Sequence, residues 1–459
     1  MPLNSFRKTL DVVNPIKFLR DGLIGEGRMI PGKFGEVPLV YADYVASGRA
    51  LQQVENFITT QVLPFYANTH TDASYCGDYT TNLRAQARAE IARLTRADES
   101  CTVVFSGAGA TAGLNRLIAL LGVEQAENPV VLIGPYEHHS NILPWRESKA
   151  TIIEIPEAPM GGPDLRALEQ ALLEHQDADL LIGSFSAASN VTGIITDATA
   201  VTRLLKSHKA ISVWDYAGGA PYLSIDMASG TDAEKDAVVI SAHKFPGGPA
   251  ASGILILRND AVKRNTPTWP GGGTVTFVSP WGHHYHDSIF EREEAGTPNV
   301  IGDIRAALVF MIKDSIGQDA ITAREHELNE MAVAGWADNP HLTLFDVENQ
   351  NRLPIFSFLM KDARGEIINA QDITHMLSDT YGIQARGGCA CAGPYGHRLL
   401  ELDRVTSDSL CSQILAGNED VRPGWVRLNF SYLMDDKTAC YIIDSVNRLA
   451  LEMGARIAV

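Results

Sequence analysis

An α/β fold is the class this chain predicts: a mainly parallel sheet covered by helices, followed by a smaller α+β domain. Three observations lead there. Between residues 100 and 260, short runs rich in Val, Ile and Leu alternate with stretches of helical spacing, the pattern of strands joined by crossover helices. From Ile301 the pattern shifts to long helices, at 302–316 and 320–337, then to strand and helix segments at 354–359 and 370–381. The chain has 459 residues and 45% hydrophobic content, enough for two or more cores.

Residues 1–35 are mixed and rich in glycine, and read as an arm or loop. Residues 37–44 are strand-like and lead into Asp43-Tyr44-Val45-Ala46-Ser47-Gly48. Residues 51–62 have helical spacing. The polar, aromatic segment 65–71, with His70, is either a wall of a binding site or a capped loop before a helix at 83–94. Thr80 or Thr81 is the expected cap.

A buried-type strand at 101–105 runs into Ser106-Gly107-Ala108-Gly109-Ala110-Thr111, which opens a helix to 121. Small residues let the backbone approach a ligand, and a helix N-terminus offers free N–H groups to a dianion. Ala110 and the Thr111 hydroxyl are the phosphate candidates; an ordinary glycine-rich turn has the same composition. The next strand, 130–134, ends in Glu137-His138-His139-Ser140-Asn141. Adjacent side chains on an extended segment diverge, which argues against a metal pair, and no metal is expected. A helix at 165–173, a strand at 179–185 and a turn holding Asn190 follow.

After a helix at 200–207, the strand 211–214 ends in Asp215. A carboxylate there sits where α/β proteins build their sites, though a turn or cap uses the same residue. The strand 236–240 ends in Ser241-Ala242-His243-Lys244-Phe245-Pro246-Gly247-Gly248. Most lysines are solvated. One held in a loop of small residues at a strand end loses hydration, and its free amine becomes a nucleophile for a carbonyl. Pyridoxal phosphate (PLP) needs such a lysine for its aldehyde and an acid beside its ring nitrogen. A further strand is expected at 253–257.

The net charge of −17 argues against non-specific binding to nucleic acid or an anionic membrane. The apolar runs fall short of the ~18 residues of a membrane span, and residues 1–8 lack the apolar core of a signal peptide. Six unevenly spaced cysteines do not form a disulfide framework. A cytoplasmic protein with free thiols is the expectation.

The Ser241-x-His243-Lys244 block resembles the lysine motif of the class V, fold-type I, PLP-dependent aminotransferase family, and within it the cysteine desulfurase and selenocysteine lyase branch. The resemblance runs from Tyr41-Ala42-Asp43 to Val426-Arg427-Leu428. It implies a large domain with a mainly parallel seven-stranded sheet at 43–299 and a small α+β domain at 300–459 that carries a thiol loop. Residues 1–42 would be an N-terminal arm packing with the small domain. It also implies that Lys244 holds PLP, Asp215 pairs with the ring nitrogen, His138 stacks on the ring, and Asn190 donates to the phenolic oxygen. Ser241 and His243 would join the phosphate site. Thr297 would reach the phosphate of a neighbouring subunit, making a homodimer the working unit. The segment 282–287, rich in histidine, reads as a solvated, adaptable loop. One departure stands out: many desulfurases carry Gln three residues after the Asp, and this chain has Gly218.

The stretch Arg386-Gly387-Gly388-Cys389-Ala390-Cys391 resembles the Arg-x-Gly-x-x-Cys pattern that places the family's nucleophile at Cys391. Arg386 and His397 are expected to favour its thiolate. Cys389 is a resolving thiol, a relay or an idle neighbour. Arg427 resembles the clamp for an amino-acid carboxylate, with Arg386, His70 and Asn190 also on the substrate side. The implied function is sulfur abstraction from L-cysteine, giving alanine and a persulfide on Cys391, with a sulfur-acceptor protein as a further partner. A C–S or selenocysteine lyase, a specialised enzyme on another amino acid, and a non-catalytic scaffold are the alternatives.

Overall fold

The computed structural model describes residues 2–69 and 71–455. The chain divides into two units. The first takes the described residues within Met1–Gly22, Ser47–Ala187 and Thr196–Gln318; the second takes those within Leu23–Ala46, Ala188–Ile195 and Asp319–Val459.

The first unit is built on seven strands: β1 (Cys101–Gly107), β2 (Pro129–Ile133), β3 (Thr151–Glu154), β4 (Leu180–Ser186), β5 (Ile211–Asp215), β6 (Ala237–Ser241) and β7 (Gly253–Arg258). Their order is β1-β7-β6-β5-β4-β2-β3. Only β7 runs antiparallel to its two neighbours, and the rest pair in parallel, so the expected sheet is present. Alternate residues feed two cores. Val103, Phe105, Trp214, Val238 and Ile240 join one cluster, and Val104, Val213, Val239 and Leu255 the other. Burial on both faces explains why these strands read as unbroken apolar runs.

Register aligns the chemistry. Ser186 on β4 lies opposite Asp215 on β5, and Asp215 lies opposite Val239 on β6. The carboxylate and the loop after β6 therefore leave adjacent strands at the same sheet edge.

Helix α1 (Tyr75–Leu94) starts earlier than the 83–94 expected. Ser74 caps it, its Oγ accepting the Gly77 N–H at 3.2 Å, while Thr80 and Thr81 bond to the carbonyls of Phe65 and Thr69. The first turns are polar and gave the apolar periodicity little to register. Helix α2 (Gly109–Leu120) follows β1 as expected, and α3 (Val300–Ile316) packs against α1. Arg84 on α1 pairs with Asp303 on α3 at 2.6 Å.

Two loop readings are corrected. Residues 1–35 hold the helices Pro2–Leu10 and Pro15–Arg20 and the strand Met29–Gly32, which pairs with Gly35–Pro38. Residues 282–287 are not an adaptable loop: Gly282–Tyr285 pairs antiparallel with Val275–Ser279, whose β-branched residues favour extended chain.

The second unit holds β8 (Leu342–Leu344), β9 (Ile355–Met360), β10 (Arg386–Gly388) and β11 (Trp425–Asn429), an antiparallel sheet in the order β8-β9-β11-β10. Helices α4 (Ala370–Tyr381) and α5 (Asp436–Ala455) supply apolar faces to its core. Trp336 sits in that core, 1% exposed, with ring contacts to Phe356, Phe358 and Phe430 at 5.1 to 6.2 Å. Removing so large a side chain leaves a cavity the surrounding rings cannot fill. Trp336→Ala is expected to lower the unfolding free energy by about 3–5 kcal/mol, read by urea denaturation.

Candidate active site

Lys244 ends a short turn, Ala242–Lys244, directly after β6, and is partly buried. Neighbouring backbone fixes this turn. The Gly48 N–H donates to the His243 carbonyl at 2.9 Å, and a Cβ on Gly48 would lie 1.9 Å from the Phe245 carbonyl oxygen. Only glycine permits that approach. Asp215, 4% exposed, accepts the Ala217 N–H at 2.7 Å. Burial pushes its carboxyl above the usual carboxylate range, while Ala217 and the charge of Lys244 act against that rise.

The start of α2 forms a cradle. The Ala110 N–H donates to Ser241 Oγ at 3.0 Å, and the Thr111 and Ser140 hydroxyls are 2.7 Å apart. A Cβ on Gly109, which has φ +60°, would sit 2.9 Å from Ser241 Oγ and 3.1 Å from the His243 ring. Burial, then Lys244, pushes the His243 ring down to about 4, so it is neutral at physiological pH. The Ala108 side chain caps nothing, which leaves first-turn amides other than that of Ala110 for a ligand. Beside the cradle, a cavity of about 460 Å³ is lined by Thr111, Asn115, His139, Ser140 and Glu147 among others.

Ser140 also sets the state of His138. Its backbone N–H donates to His138 Nδ1 at 3.0 Å. An N–H can only donate, so Nδ1 keeps its lone pair and the neutral ring carries its proton on Nε2. Beneath lies Glu137, fully buried, accepting from the Ser186 N–H at 2.8 Å, Ser186 Oγ at 2.5 Å and Asn141 Nδ2 at 2.6 Å. Its value is pushed up to about 7, chiefly by burial and further by the charge of Asp215.

The second unit holds Asn190, Arg386, Cys391 and Arg427. Arg427, 3% exposed, donates from Nη2 to Asp43 Oδ1 at 2.8 Å and from Nη1 to the Asn190 carbonyl at 3.2 Å. Burial pushes its value down, and Asp43 opposes that. Its Nε is buried without a hydrogen-bond partner. Arg386 donates from Nε to Asp43 Oδ2 at 3.0 Å, and its side chain stays 48% exposed. One carboxylate thus serves two guanidinium groups, leaving a net positive charge and exposed Arg386 donors for an incoming carboxylate.

The thiol loop is a tight turn. Ala390 and Cys391 have φ of +52° and +56°, and the Ala392 N–H donates to the Cys389 carbonyl at 3.0 Å. Two consecutive left-handed residues mark a mirror-image turn, which usually takes Asn and Gly. Neither corner residue is glycine, so the turn stores roughly 1–2 kcal/mol per residue. Cys391 is exposed and Cys389 partly buried. His397, expected to favour the thiolate, is occupied elsewhere: Nδ1 bonds to the Gly393 carbonyl at 2.8 Å and Nε2 to Ser407 Oγ at 2.9 Å.

The structure therefore brings Lys244, Asp215, His138, Ala110, Thr111, Ser241 and His243 into one unit, and Asn190, Arg386, Arg427 and Cys391 into the other. Thr297 is exposed in the loop before α3. Gly218 is buried in the turn after Asp215 and contributes no side chain there. His70 lies outside the described residues. Among the described residues, no group of three or more His, Cys, Asp or Glu side chains is arranged to hold a metal. Sequence reading missed Asp43, Glu137 and Ser140. For Asp43 a signal existed, because an acid closing an apolar strand is buried and needs a cation.

These residues fit pyridoxal phosphate. The Gly109 cradle at a helix N-terminus suits a phosphate, Asp215 is a desolvated acid suited to a protonated ring nitrogen, and Lys244 supplies the amine.

Glu137 gives a pH test. Its folded value lies above that of an unfolded carboxyl, so the native state holds the extra proton. Stability from this group is full below about 4.5 and is lost as pH rises through about 7. Glu137→Gln should flatten that decline in thermal unfolding followed across the same range.

A family model described as Aminotransferase class-V matches residues 40–416. A protein named probable cysteine desulfurase from Halalkalibacterium halodurans is 27% identical over 362 residues, covering 78% of this chain and 85% of that protein. One of the same name from Streptomyces coelicolor is 27% identical over 368 residues, covering 78% and 84%. Among solved structures, the cysteine desulfurase of Thermococcus onnurineus in its apo form has a TM-score of 0.75 at 23% identity, covering 90% of this chain and 95% of that one. The Escherichia coli cysteine desulfurase CsdA gives 0.74 at 21% identity, covering 97% and 100%. With its parallel sheet, its lysine turn and a family match across most of its length, the chain belongs to the class-V aminotransferases.

Proposed function

We propose that this chain is a PLP-dependent cysteine desulfurase that takes sulfur from L-cysteine. One observation carries the reading: an exposed thiol, Cys391, stands at the corner of a strained turn in the same unit as two arginines sharing Asp43. A nucleophile for sulfur and a receiver for an amino-acid carboxylate are what that reaction requires beyond the lysine and the acid common to PLP enzymes. The names of the relatives point the same way.

The cofactor, when bound, supplies an electron sink for the substrate α-carbon. The Gly109–Thr111 turn, Ser241 and His243 would hold its phosphate, and Asp215 would favour a positive charge at its ring nitrogen. His138 would cover the ring, its proton kept on Nε2 by the Ser140 N–H. Lys244 would hold the cofactor's aldehyde, and the lysine amine would move the α-proton of the substrate. Arg386 and Arg427 orient the substrate carboxylate. The Cys391 thiolate forms a bond to the substrate sulfur as the Cβ–S bond breaks, and a proton goes to the carbon product. Cysteine and the enzyme thiol thus become alanine and an enzyme persulfide, with atoms and electrons balanced. A homodimer in the cytoplasm is the working form, Thr297 serves the neighbouring protomer's phosphate, and a sulfur-acceptor protein discharges the persulfide.

Cys391→Ser should lower persulfide and alanine formation by about 10²-fold or more while visible absorbance of the bound cofactor persists. Purified protein incubated with L-cysteine should yield alanine. Pyruvate and ammonia instead would make it a lyase, and alanine output that survives Cys391→Ser would remove Cys391 from the reaction.

A further inference from the structure

We infer that Asn190 is a positioning residue for the Cys391 thiol, holding the nucleophile's turn against a rigid platform. This rests on the reading of Cys391 as the sulfur-accepting group.

The platform is the loop at residues 188–195. The Ser189 N–H donates to the Ile194 carbonyl at 2.8 Å, and Ser189 Oγ accepts the N–H groups of Val191 and Thr192 at 3.2 and 3.1 Å. Ser357 on β9 donates to the Val191 carbonyl at 2.7 Å. Gly193 has φ +78°, and a Cβ on it would lie 2.4 Å from the Leu353 carbonyl oxygen. The loop is thus pressed onto backbone and cannot shift freely.

Asn190 projects from this platform, 8% exposed. Its backbone carbonyl is held by the buried Arg427 at 3.2 Å, and its side-chain Nδ2 donates to the Ala390 carbonyl at 2.9 Å. Ala390 is the first left-handed residue of the thiol turn and Cys391 the second. Neither residue type prefers that conformation, so the surroundings must hold it, and the Asn190 amide supplies such a hold at the carbonyl joining the two. The buried arginine thus supports two things at once: one Nη group meets Asp43, which also binds Arg386, and the other meets the residue that fixes the thiol turn. Carboxylate recognition and nucleophile placement share one anchor.

The test uses the full chain with its cofactor bound. In Asn190→Ala, deuterium exchange at the backbone amides of residues 388–392 should speed up by at least about tenfold without substrate. In turnover, kcat for alanine should fall while KM for L-cysteine changes by less than about twofold. Asn190→Asp keeps the shape but offers no donor; it should give the same pair of changes and serves if the alanine variant fails to fold. Unchanged exchange, with only the cofactor's visible absorbance shifted, would overturn the inference and leave Asn190 acting on the cofactor. A rise in KM at constant kcat would overturn it in favour of substrate binding. If the unsubstituted protein forms no persulfide, the functional reading fails, and the exchange comparison alone still decides whether the turn is pinned.

Discussion

A carboxylate taken out of water must be met by positive charge or by donors, and both units of this protein are arranged around that requirement. Asp215 is buried at the end of a strand with a single backbone donor and the charge of a lysine for company. Asp43 is buried at the end of another short strand segment and meets two guanidinium groups. An unpaired buried charge would destabilise the fold by several kcal/mol, so each acid commits its surroundings to a cationic partner. In the first arrangement the acid has one backbone donor and a lysine charge; in the second Arg386 keeps an exposed side chain.

The parallel sheet makes the first arrangement possible at little conformational expense. Adjacent parallel strands end together, so residues far apart in the chain emerge side by side without any special loop. Asp215, the lysine turn and the Glu137 cluster all follow from that one register. The antiparallel sheet of the second unit does the same for its own residues. Arg427 on β11 lies directly opposite Arg386 on β10, which is why one aspartate can bind both.

Much of this was legible in the chain itself. Six of the seven strands of the first unit are largely buried and so appear as continuous apolar runs, with ends within a residue or two of expectation; the edge strand β3 is partly exposed and was not anticipated. Lys244, Asp215 and the glycine-rich helix start were readable because each sits where such a run stops. Helix α1 was less so, because its first turns are polar and its start depends on Ser74. The hairpin at 275–285 was hidden by its histidines, which suggested a solvated loop. The pairing of Asn190 with Ala390 depends on a contact between segments far apart in sequence, which no local pattern encodes. Asp43 was in view but had no assigned partner until the strands were paired.

The close approach of Gly48 to Phe245 ties two segments separated by nearly two hundred positions. Any chain that keeps this lysine turn must keep a residue without a side chain at that point, whatever amino acid it acts on. Residue 48 is therefore fixed by the backbone path of the lysine turn itself, its nearest neighbours there all being main-chain atoms of Lys244 and Phe245.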